Sequence, residues 1–382
     1  MSIIYFDNAA TSWPKPKAMI KAMTDFNTSV GANPGRSGHR LSVEAGRVIF
    51  KAREAVASLL GADDPHSVVF TRNATAGINT VLSGFLLPGD HVITSSMEHN
   101  SVMRPLRALE RKGVELGIVR CSASGEIFPD DIVAAFKKNT KMIIITHASN
   151  VTGTIMPVED IAKIAHKAGV ILCVDAAQTA GSIPLNVLKN NIDILVFTGH
   201  KSLYGPQGTG GFYIRKGLEN KINPLEYGGT GSRSEFEEQP DFMPDRFESG
   251  TPNTIGIAGL YAGVSFVAGI GVEAIRAKEA ALTQLFIDGI RSVKGVKIYG
   301  DTDPTKRTAV VSFTIDGVSP SEISYRLDEE FGILTRPGLH CAPSAHRTIG
   351  TFPEGTVRFS FGYFTTEEEI KTATKAIESI KS

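Results

Sequence analysis

Apolar and polar residues alternate with two different periods along residues 42–214. Residues 42–60 carry apolar side chains at helical spacing, and the run "SVVF" at 67–70 is short and β-branched, which is typical of a strand. Helices and strands continue to alternate along the chain. Helices are predicted near 101–112 and 157–168, and strands at 91–94, 142–146, 170–174, 193–197 and 210–214. Short apolar strands separated by amphipathic helices predict an α/β domain with a mostly parallel sheet.

The pattern changes after about residue 260. A long helical stretch at 273–293 is followed by the strands "AVVSFTI" and "TVRFSF", a helix near 320–331 between them, and a last helix from about 366. Two strands and three helices predict a smaller α+β domain. We therefore expect a large domain at 13–262 and a small domain at 263–382 that also includes the N-terminal segment 1–12.

Composition narrows the class of protein. The 382 residues include 40 basic and 40 acidic side chains, so the formal net charge is zero and nothing indicates binding to nucleic acid. The longest apolar runs are too short to span a bilayer, and the first residues do not resemble a secretory signal. Three widely separated cysteines indicate a reducing compartment, so we expect a cytoplasmic protein without disulfides.

Side chains suited to chemistry follow five of the predicted strands. Carboxyl ends of parallel strands meet at one edge of a sheet, where ligands of open α/β sheets bind, so these side chains are expected to share one site. Singly, each has an ordinary structural explanation such as helix capping, and the prediction rests on their coincidence. In strand order they are Ala74 and Thr75, then His99, then Asn150, then Asp175 and Gln178, and finally Thr198, His200 and Lys201.

Pyridoxal 5′-phosphate (PLP) requires the groups that this set offers. Its phosphate suits the helix N-terminus at Ala74 and Thr75, where free N–H groups and the helix dipole favour an anion. Its protonated pyridine nitrogen suits the carboxylate of Asp175, and its aldehyde can bond to Lys201 as a Schiff base. His99 offers an imidazole plate for the ring. The residues therefore predict PLP as the cofactor.

Several motifs carry a resemblance to a known family. They are "YFDNAAT", "SNVTGT", "VDAAQ", "GHKSLYGP", "ESGTPNT", "RPGLHCA" and "GYFTTEEEI". Over nearly its whole length the chain resembles the class V aminotransferase group of fold-type-I PLP enzymes, in particular cysteine desulfurases and selenocysteine lyases. The short segment between Cys341 and Arg358 is similar to the Suf-like group. The resemblance implies the PLP-dependent transferase fold of type I.

The resemblance also implies a role for each matching position. Lys201, Cys341 and His99 would be catalytic. Asn150, Arg358 and His39 would lie at the substrate, which would be L-cysteine or L-selenocysteine. A homodimer is implied, together with a protein that accepts the sulfur. The residues implied to bind the cofactor are Ala74, Thr75, His99, Asp175, Gln178, Thr198, His200, Lys201 and Thr251, the last reaching the phosphate bound in the neighbouring subunit.

Cys341, in "RPGLHCAPSAH", admits three interpretations. Cysteine is among the most buried residue types, so a buried apolar role is the ordinary one. A metal site with His340 and His346 lacks a clear fourth ligand for tetrahedral zinc. The resemblance implies a nucleophile that takes sulfur from the substrate as a persulfide. Arg336 and His340 would favour the thiolate if they face the sulfur.

The activity itself stays open between related alternatives. A cysteine desulfurase would convert L-cysteine to L-alanine and pass persulfide sulfur onward. A selenocysteine lyase would act on a substrate that differs by one atom, which the sequence does not distinguish. A class V aminotransferase or epimerase would have no use for Cys341. A non-catalytic PLP-binding protein would need neither the thiol nor an arginine for a substrate carboxylate.

Overall fold

Three sheets and eleven helices form the described part of this computed structural model, residues 3–35 and 38–381. The strands are β1 (Ile4–Tyr5), β2 (Val68–Thr71), β3 (His91–Ser95), β4 (Glu115–Val119), β5 (Thr140–Thr146), β6 (Ile171–Asp175), β7 (Ile194–Thr198), β8 (Gly210–Ile214), β9 (Val296–Tyr299), β10 (Val310–Ile315), β11 (Ile333–Leu334), β12 (Arg336–Gly338) and β13 (Thr356–Ser360). The helices are α1 (Lys17–Ser29), α2 (Arg40–Leu60), α3 (Ala74–Phe85), α4 (Asn100–Glu110), α5 (Pro129–Ala134), α6 (Val158–Lys167), α7 (Thr254–Ile270), α8 (Val272–Ile290), α9 (Pro320–Phe331), α10 (Pro343–Ile349) and α11 (Glu367–Lys381).

The largest sheet has seven strands in the order β2-β8-β7-β6-β5-β3-β4. Neighbours from β7 to β4 pair in parallel, whereas β8 runs antiparallel to both β7 and β2. β2 therefore runs in the same direction as β7, and only β8 is reversed. This confirms the predicted mostly parallel mixed sheet. It also brings the carboxyl ends of β2, β3, β5, β6 and β7 to one edge.

Both faces of this sheet are covered, which explains its apolar strands. Along β5, Ile143 and Ile145 belong to one apolar cluster with α2 and α6, whereas Met142 and Ile144 belong to another with α3 and α4. Successive side chains of a strand point to opposite faces, so a strand buried on both sides must be apolar throughout. The sequence shows this as uninterrupted apolar runs.

A separate antiparallel sheet, in the order β12-β13-β10-β9, lies in the C-terminal part. Its apolar cluster joins Ile4 and Phe6 to residues between 282 and 380. The prediction of only two strands after residue 260 was wrong, because β9, β11 and β12 were missed. β12 is an edge strand with Pro337 at its centre, a residue that argues against a strand when sequence alone is read.

Within residues 3–35 and 38–381, no single helix combines the length and the apolar character needed to cross a membrane. α7 and α8 have that length and apolar character only when taken together, and they are bent by 79° where they join.

Candidate active site

One cleft of about 220 Å³ brings together eleven of the predicted site residues. It opens at the edge where the five parallel strands end, and the small sheet closes its other side with Arg336 and Arg358. The common edge predicted from the sequence is therefore what assembles the site. The eleven are Ala74, Thr75, His99, Asn150, Asp175, Gln178, Thr198, His200, Lys201, Cys341 and Arg358.

Polar groups at one end of the cleft suit an anion. α3 begins at Ala74, and Asn73 caps it by accepting a hydrogen bond from the N–H of Ala76 at 2.8 Å. A helix leaves the first N–H groups unpaired and carries partial positive charge there. Among the described residues, Thr198 Oγ1 and His200 Nδ1 are buried without hydrogen-bond partners. A buried polar group is normally paired, so these two atoms fit hydrogen bonds to an anionic ligand.

Asp175, at the end of β6, is the buried carboxylate of the cleft. Its Oδ1 accepts a hydrogen bond from the N–H of Ala177 at 2.9 Å, and only 4% of the residue is exposed. Burial raises the pKa of Asp175, while Ala177 and the charge of Lys201 act in the opposite direction. A carboxylate that burial disfavours in its ionised form is stabilised by a cation beside it. A protonated pyridine nitrogen would supply that cation.

Lys201 lies just after β7, in the turn that begins at Gly199. Burial lowers the pKa of its ammonium to about 8, and the positive charges of Arg358 and Arg336 add to the effect. A larger share of the amine is therefore neutral near pH 7 than for an exposed lysine. A neutral amine is the form that attacks an aldehyde and that accepts a proton.

His99 and Gln178 line the cleft from two sides. His99 caps α4, with Nδ1 accepting from the N–H of Ser101 at 3.0 Å, and burial lowers its pKa to about 4. The ring is therefore neutral near pH 7. Gln178 Nε2 donates to the carbonyl oxygen of Ala9 at 3.1 Å, which turns part of the amide toward the N-terminal segment.

Cys341 lies between β12 and α10 and is exposed. Cys341 and His340 have φ values of +57° and +49°, in the left-handed region that residues other than glycine seldom adopt. Two contacts hold the turn: the Cys341 carbonyl accepts from the N–H of Asn100 at 2.8 Å, and the His340 carbonyl accepts from Asn150 Nδ2 at 2.7 Å. These bonds tie the cysteine turn to the start of α4 and to the segment that follows β5.

Only one of the two predicted neighbours faces the thiol. Arg336 Nη2 lies 3.5 Å from Cys341 Sγ. His340 instead hydrogen-bonds the carbonyl oxygen of Arg336 through Nε2 at 2.9 Å, and its ring lies 5.3 Å from that of His346. The described contacts of the His340 ring are therefore with Arg336 and His346, and a role of His340 toward a thiolate stays a prediction. In the ranges that the structure describes, no three metal-ligand side chains cluster.

Arg358, on β13, is the buried cation of the cleft, with 1% exposure. Its Nη1 donates to the carbonyl oxygen of Asn150 at 3.1 Å, and its Nη2 donates to Oδ1 of Asp7 at 2.6 Å. Asp7 was missed by the sequence analysis as a site residue. The available signal was a single acidic residue inside the apolar "YFDNAAT" motif.

Two predicted site residues lie outside this cleft. His39 is exposed and caps α2, with Nδ1 accepting from the N–H of Ser42 at 3.2 Å. Thr251 lines a different cleft of about 490 Å³, which also contacts Thr71 and Arg72 just before α3. Their assigned roles stay predictions, and for Thr251 the prediction concerns the neighbouring subunit.

Behind Lys201, a small cavity of about 20 Å³ contains the buried carboxyl of Glu279, from α8. Its volume suits about one water molecule. Burial raises the pKa of Glu279 to about 8, more strongly than the nearby charges of Arg276 and Lys278 lower it. Glu279 is therefore protonated in the folded protein over a pH range in which an unfolded chain would have lost the proton.

Because of the buried Glu279 carboxyl, we expect the free energy of unfolding to depend on pH. As pH rises from about 5 to 8, the unfolded chain loses the Glu279 proton first, so the free energy of unfolding should fall. Glu279→Gln cannot ionise, and we expect it to lose less stability over this window, by on the order of a few kcal/mol. Urea unfolding at both ends of the window measures the difference. Equal losses in the two proteins would contradict the assignment.

Comparison with known proteins defines the family. Residues 4–372 match the aminotransferase class-V family. A probable cysteine desulfurase of Methanothermobacter thermautotrophicus is 34% identical, with 99% of this chain and 94% of the relative covered. A cysteine desulfurase of Haloferax volcanii is 32% identical, with 99% of this chain and 89% of the relative covered. The chain therefore belongs to the aminotransferase class-V family.

Solved structures agree with this membership. The apo structure of a cysteine desulfurase from Thermococcus onnurineus NA1 has a TM-score of 0.93 at 34% identity, covering 99% of this chain and 94% of that one. A cysteine desulfurase from Escherichia coli, in an S-sulfonic acid form, has a TM-score of 0.87 at 29% identity, covering 98% and 94%. The fold is thus fold type I, as the sequence predicts.

Proposed function

We propose that this protein is a PLP-dependent cysteine desulfurase, which converts L-cysteine to L-alanine and keeps the sulfur as a persulfide on Cys341. The observation that carries the proposal is the position of the exposed Cys341 thiol on the same cleft as Lys201, Asp175 and Arg358. Membership in a family that uses PLP, and full-length similarity to cysteine desulfurases, support it.

The residues of the cleft fit PLP. The α3 N-terminus, Thr198 and His200 would hold the phosphate, since two of their buried polar atoms lack partners within the described residues. Asp175 would hold the protonated ring nitrogen, Lys201 would bind the aldehyde, and His99 would cover the ring. When bound, the cofactor would withdraw electrons from the substrate Cα and so weaken the bonds around it.

Arg358 would bind the α-carboxylate of the substrate and thereby orient it. Lys201, when its amine is free and neutral, would take the proton from Cα and later return a proton to carbon. Burial supports this role, because it lowers the pKa of Lys201 to about 8. An amine with a pKa near the working pH can both take up and release a proton.

Cys341 would then receive the sulfur. Its thiolate attacks the substrate sulfur, an S–S bond forms, and the C–S bond breaks with its electron pair left on the carbon side. That carbon takes a proton and leaves as L-alanine, while Cys341 carries the persulfide. Arg336 Nη2 lies 3.5 Å from Sγ, so it would offer a positive charge and a hydrogen-bond donor to the Cys341 thiolate and to the persulfide formed from it.

Purified protein incubated with L-cysteine or with L-selenocysteine tests the function. Alanine formed from cysteine together with sulfide, in the presence of a reductant, supports the desulfurase. Alanine and selenide formed only from selenocysteine would assign a selenocysteine lyase instead. Transfer of the amino group to a keto acid would indicate an aminotransferase, and absence of any turnover in PLP-loaded protein would reject all three activities.

A homodimer and a sulfur-acceptor protein complete the proposal. In the dimer, Thr251 would reach the phosphate bound in the neighbouring subunit, and its second cleft, beside the start of α3, supports this assignment. The exposure of Cys341 would allow an acceptor thiol to collect the persulfide. Sedimentation of the holoenzyme tests whether it is a homodimer. The PLP content of a Thr251→Ala variant, which should be lower than that of the wild type, tests the contact across the dimer.

Arg358→Lys is expected to weaken L-cysteine binding while PLP stays bound. Guanidinium binds a carboxylate through two parallel hydrogen bonds, and an ammonium does not reproduce that geometry. We expect KM to rise by at least about tenfold, the effect of roughly 1.4 kcal/mol. Steady-state kinetics and the visible spectrum of the same sample measure both quantities, and an unchanged KM would reject the role of Arg358.

A further inference from the structure

Asp7 forms an ion pair with Arg358 at the edge of the cleft. Arg358 Nη2 donates to Asp7 Oδ1 at 2.6 Å, and the two side chains are 1% and 21% exposed. The position is notable because the same guanidinium is the proposed anchor of the substrate carboxylate. Asp7 therefore affects how that anchor meets its ligand.

Backbone pairing holds Asp7 in this place. Asp7 and Ser360 form an isolated parallel bridge, and the N–H of Ser360 donates to the carbonyl oxygen of Phe6 at 2.7 Å. The N–H of Ala9 donates to Ser360 Oγ at 2.8 Å. Ser360 is two residues from Arg358 on β13, so the bridge places Asp7 beside the arginine. The contact is therefore built into the fold.

The same N-terminal segment continues to the catalytic lysine. Ser12 Oγ donates to the carbonyl oxygen of Lys201 at 2.8 Å. Lys15 Nζ and the N–H of Ser12 both donate to the carbonyl oxygen of His200, at 2.8 and 3.0 Å. Residues 7–15 thus connect Arg358 of the small sheet to Lys201 of the large sheet.

Arg358 needs a counter-charge within the protein. It lies directly opposite Arg336 in the β12–β13 ladder, and the guanidinium is almost completely buried. Burial lowers the pKa of Arg358 and Arg336 adds to this, whereas Asp7 raises it. A buried charge that loses its partner is costly and tends to move or to recruit water. Asp7 supplies the partner before substrate arrives.

We propose that Asp7 is a positioning residue that holds the Arg358 guanidinium in place for the α-carboxylate of the substrate. This inference rests on the proposed function, because it concerns the same substrate site. Asp7 acts through Arg358 and does not itself contact the reacting atoms. Its expected effect is therefore on carboxylate recognition and not on the bonds that break.

Arg358 keeps donors for a second carboxylate while Asp7 stays attached. A guanidinium has five N–H groups, of which the contacts to Asp7 and to the Asn150 carbonyl each use one. Nε is buried and lacks a partner in the part of the chain that the structure describes. Substrate can therefore join the ion pair without displacing Asp7.

The test compares two ligands that differ only in a carboxylate. Calorimetric titration of the holoenzyme with L-alanine and with ethylamine measures carboxylate recognition as the Kd of ethylamine divided by the Kd of L-alanine. In Asp7→Ala we expect this ratio to fall by about tenfold, in line with the loss of one charge-assisted hydrogen bond. Asp7→Asn, which keeps the shape, should give a smaller fall. KM for L-cysteine should rise in parallel, with kcat within about twofold.

Asp193→Asn is the matched control. Asp193 is also a buried carboxylate that pairs with an arginine, Arg215, at 2.6 Å, but it lies at the opposite edge of the large sheet. The ratio of the two dissociation constants in Asp193→Asn should equal that of the wild type. An unchanged ratio in both Asp7 variants would overturn the inference and leave the proposed function standing. A higher ratio would also overturn it, since Asp7 would then compete with the substrate. Equal affinities of the wild type for both ligands would reject Asp7 and the carboxylate site together.

Discussion

A Cys341→Ala variant is expected to keep its PLP and to lose almost all formation of persulfide and alanine from L-cysteine. The reason is that sulfur leaves carbon only if a nucleophile accepts it, and the exposed Cys341 thiol lies on the PLP cleft. Removing a nucleophile of this kind costs about three orders of magnitude or more in turnover. With L-selenocysteine the loss should be smaller, because the carbon–selenium bond is weaker.

The other two thiols provide matched controls. Cys121 and Cys173 are buried, and burial raises the pKa of Cys121 to about 11 and that of Cys173 well above 9. Neither is suited to form a thiolate near neutral pH. Cys173→Ala should turn over normally at a stability cost of about 1 kcal/mol. Mass spectrometry of protein trapped after one turnover locates the sulfur, and its appearance on Cys121 or Cys173 would exclude Cys341 as the nucleophile.

Lys201→Ala is expected to abolish both the yellow colour and the turnover of the protein. The visible absorption band arises from PLP bound to a lysine, and Lys201 is the lysine that lines the cleft beside Asp175. The variant also lacks the base that moves the Cα proton, which contributes about 10²- to 10⁴-fold by itself. Absorption spectra of protein purified with PLP present measure the first effect, and alanine formation measures the second.

An exposed lysine serves as the control for this variant. Lys163, on α6, pairs with Asp160 at the surface. Lys163→Ala should retain the colour and the activity of the wild type. If Lys201→Ala kept the visible band, another lysine would carry the cofactor. If the wild type failed to bind PLP when the cofactor is supplied, the entire site assignment would fail with it.

The helices and strands that the sequence predicted correctly have a strong local pattern. α9 and β8 were predicted with their observed bounds, and β3, β5, β6 and β7 were displaced by at most two residues at either end. Two of the missed elements, β12 and α10, lack such a pattern. β12 contains Pro337, and α10 begins with Pro343 after two residues with positive φ, so their structure depends on neighbouring segments.

The candidate site shows the same division. Its strand-end residues were predictable, because parallel strands share an edge and each polar side chain directly follows an apolar run. The hydrogen-bond partners of Arg358 were not predictable from the sequence. Asp7 and Arg358 are 351 residues apart, and the pairing of the N-terminal segment with Ser360 brings them together. The hydrogen bond from His340 to the carbonyl oxygen of Arg336 was likewise not predictable, since both residues that follow Gly338 and Leu339 have positive φ.

The sequence by itself determined the fold class, the family resemblance and the identity of the chemical groups, because these follow from hydrophobic periodicity and from motifs a few residues long. The tertiary structure decided which of those groups meet. It placed Arg336 at the thiol, turned His340 away, and gave Arg358 a resident carboxylate. The physical reason is that burial and pairing between distant segments set the charge and orientation of each side chain, and neither quantity is local in the chain.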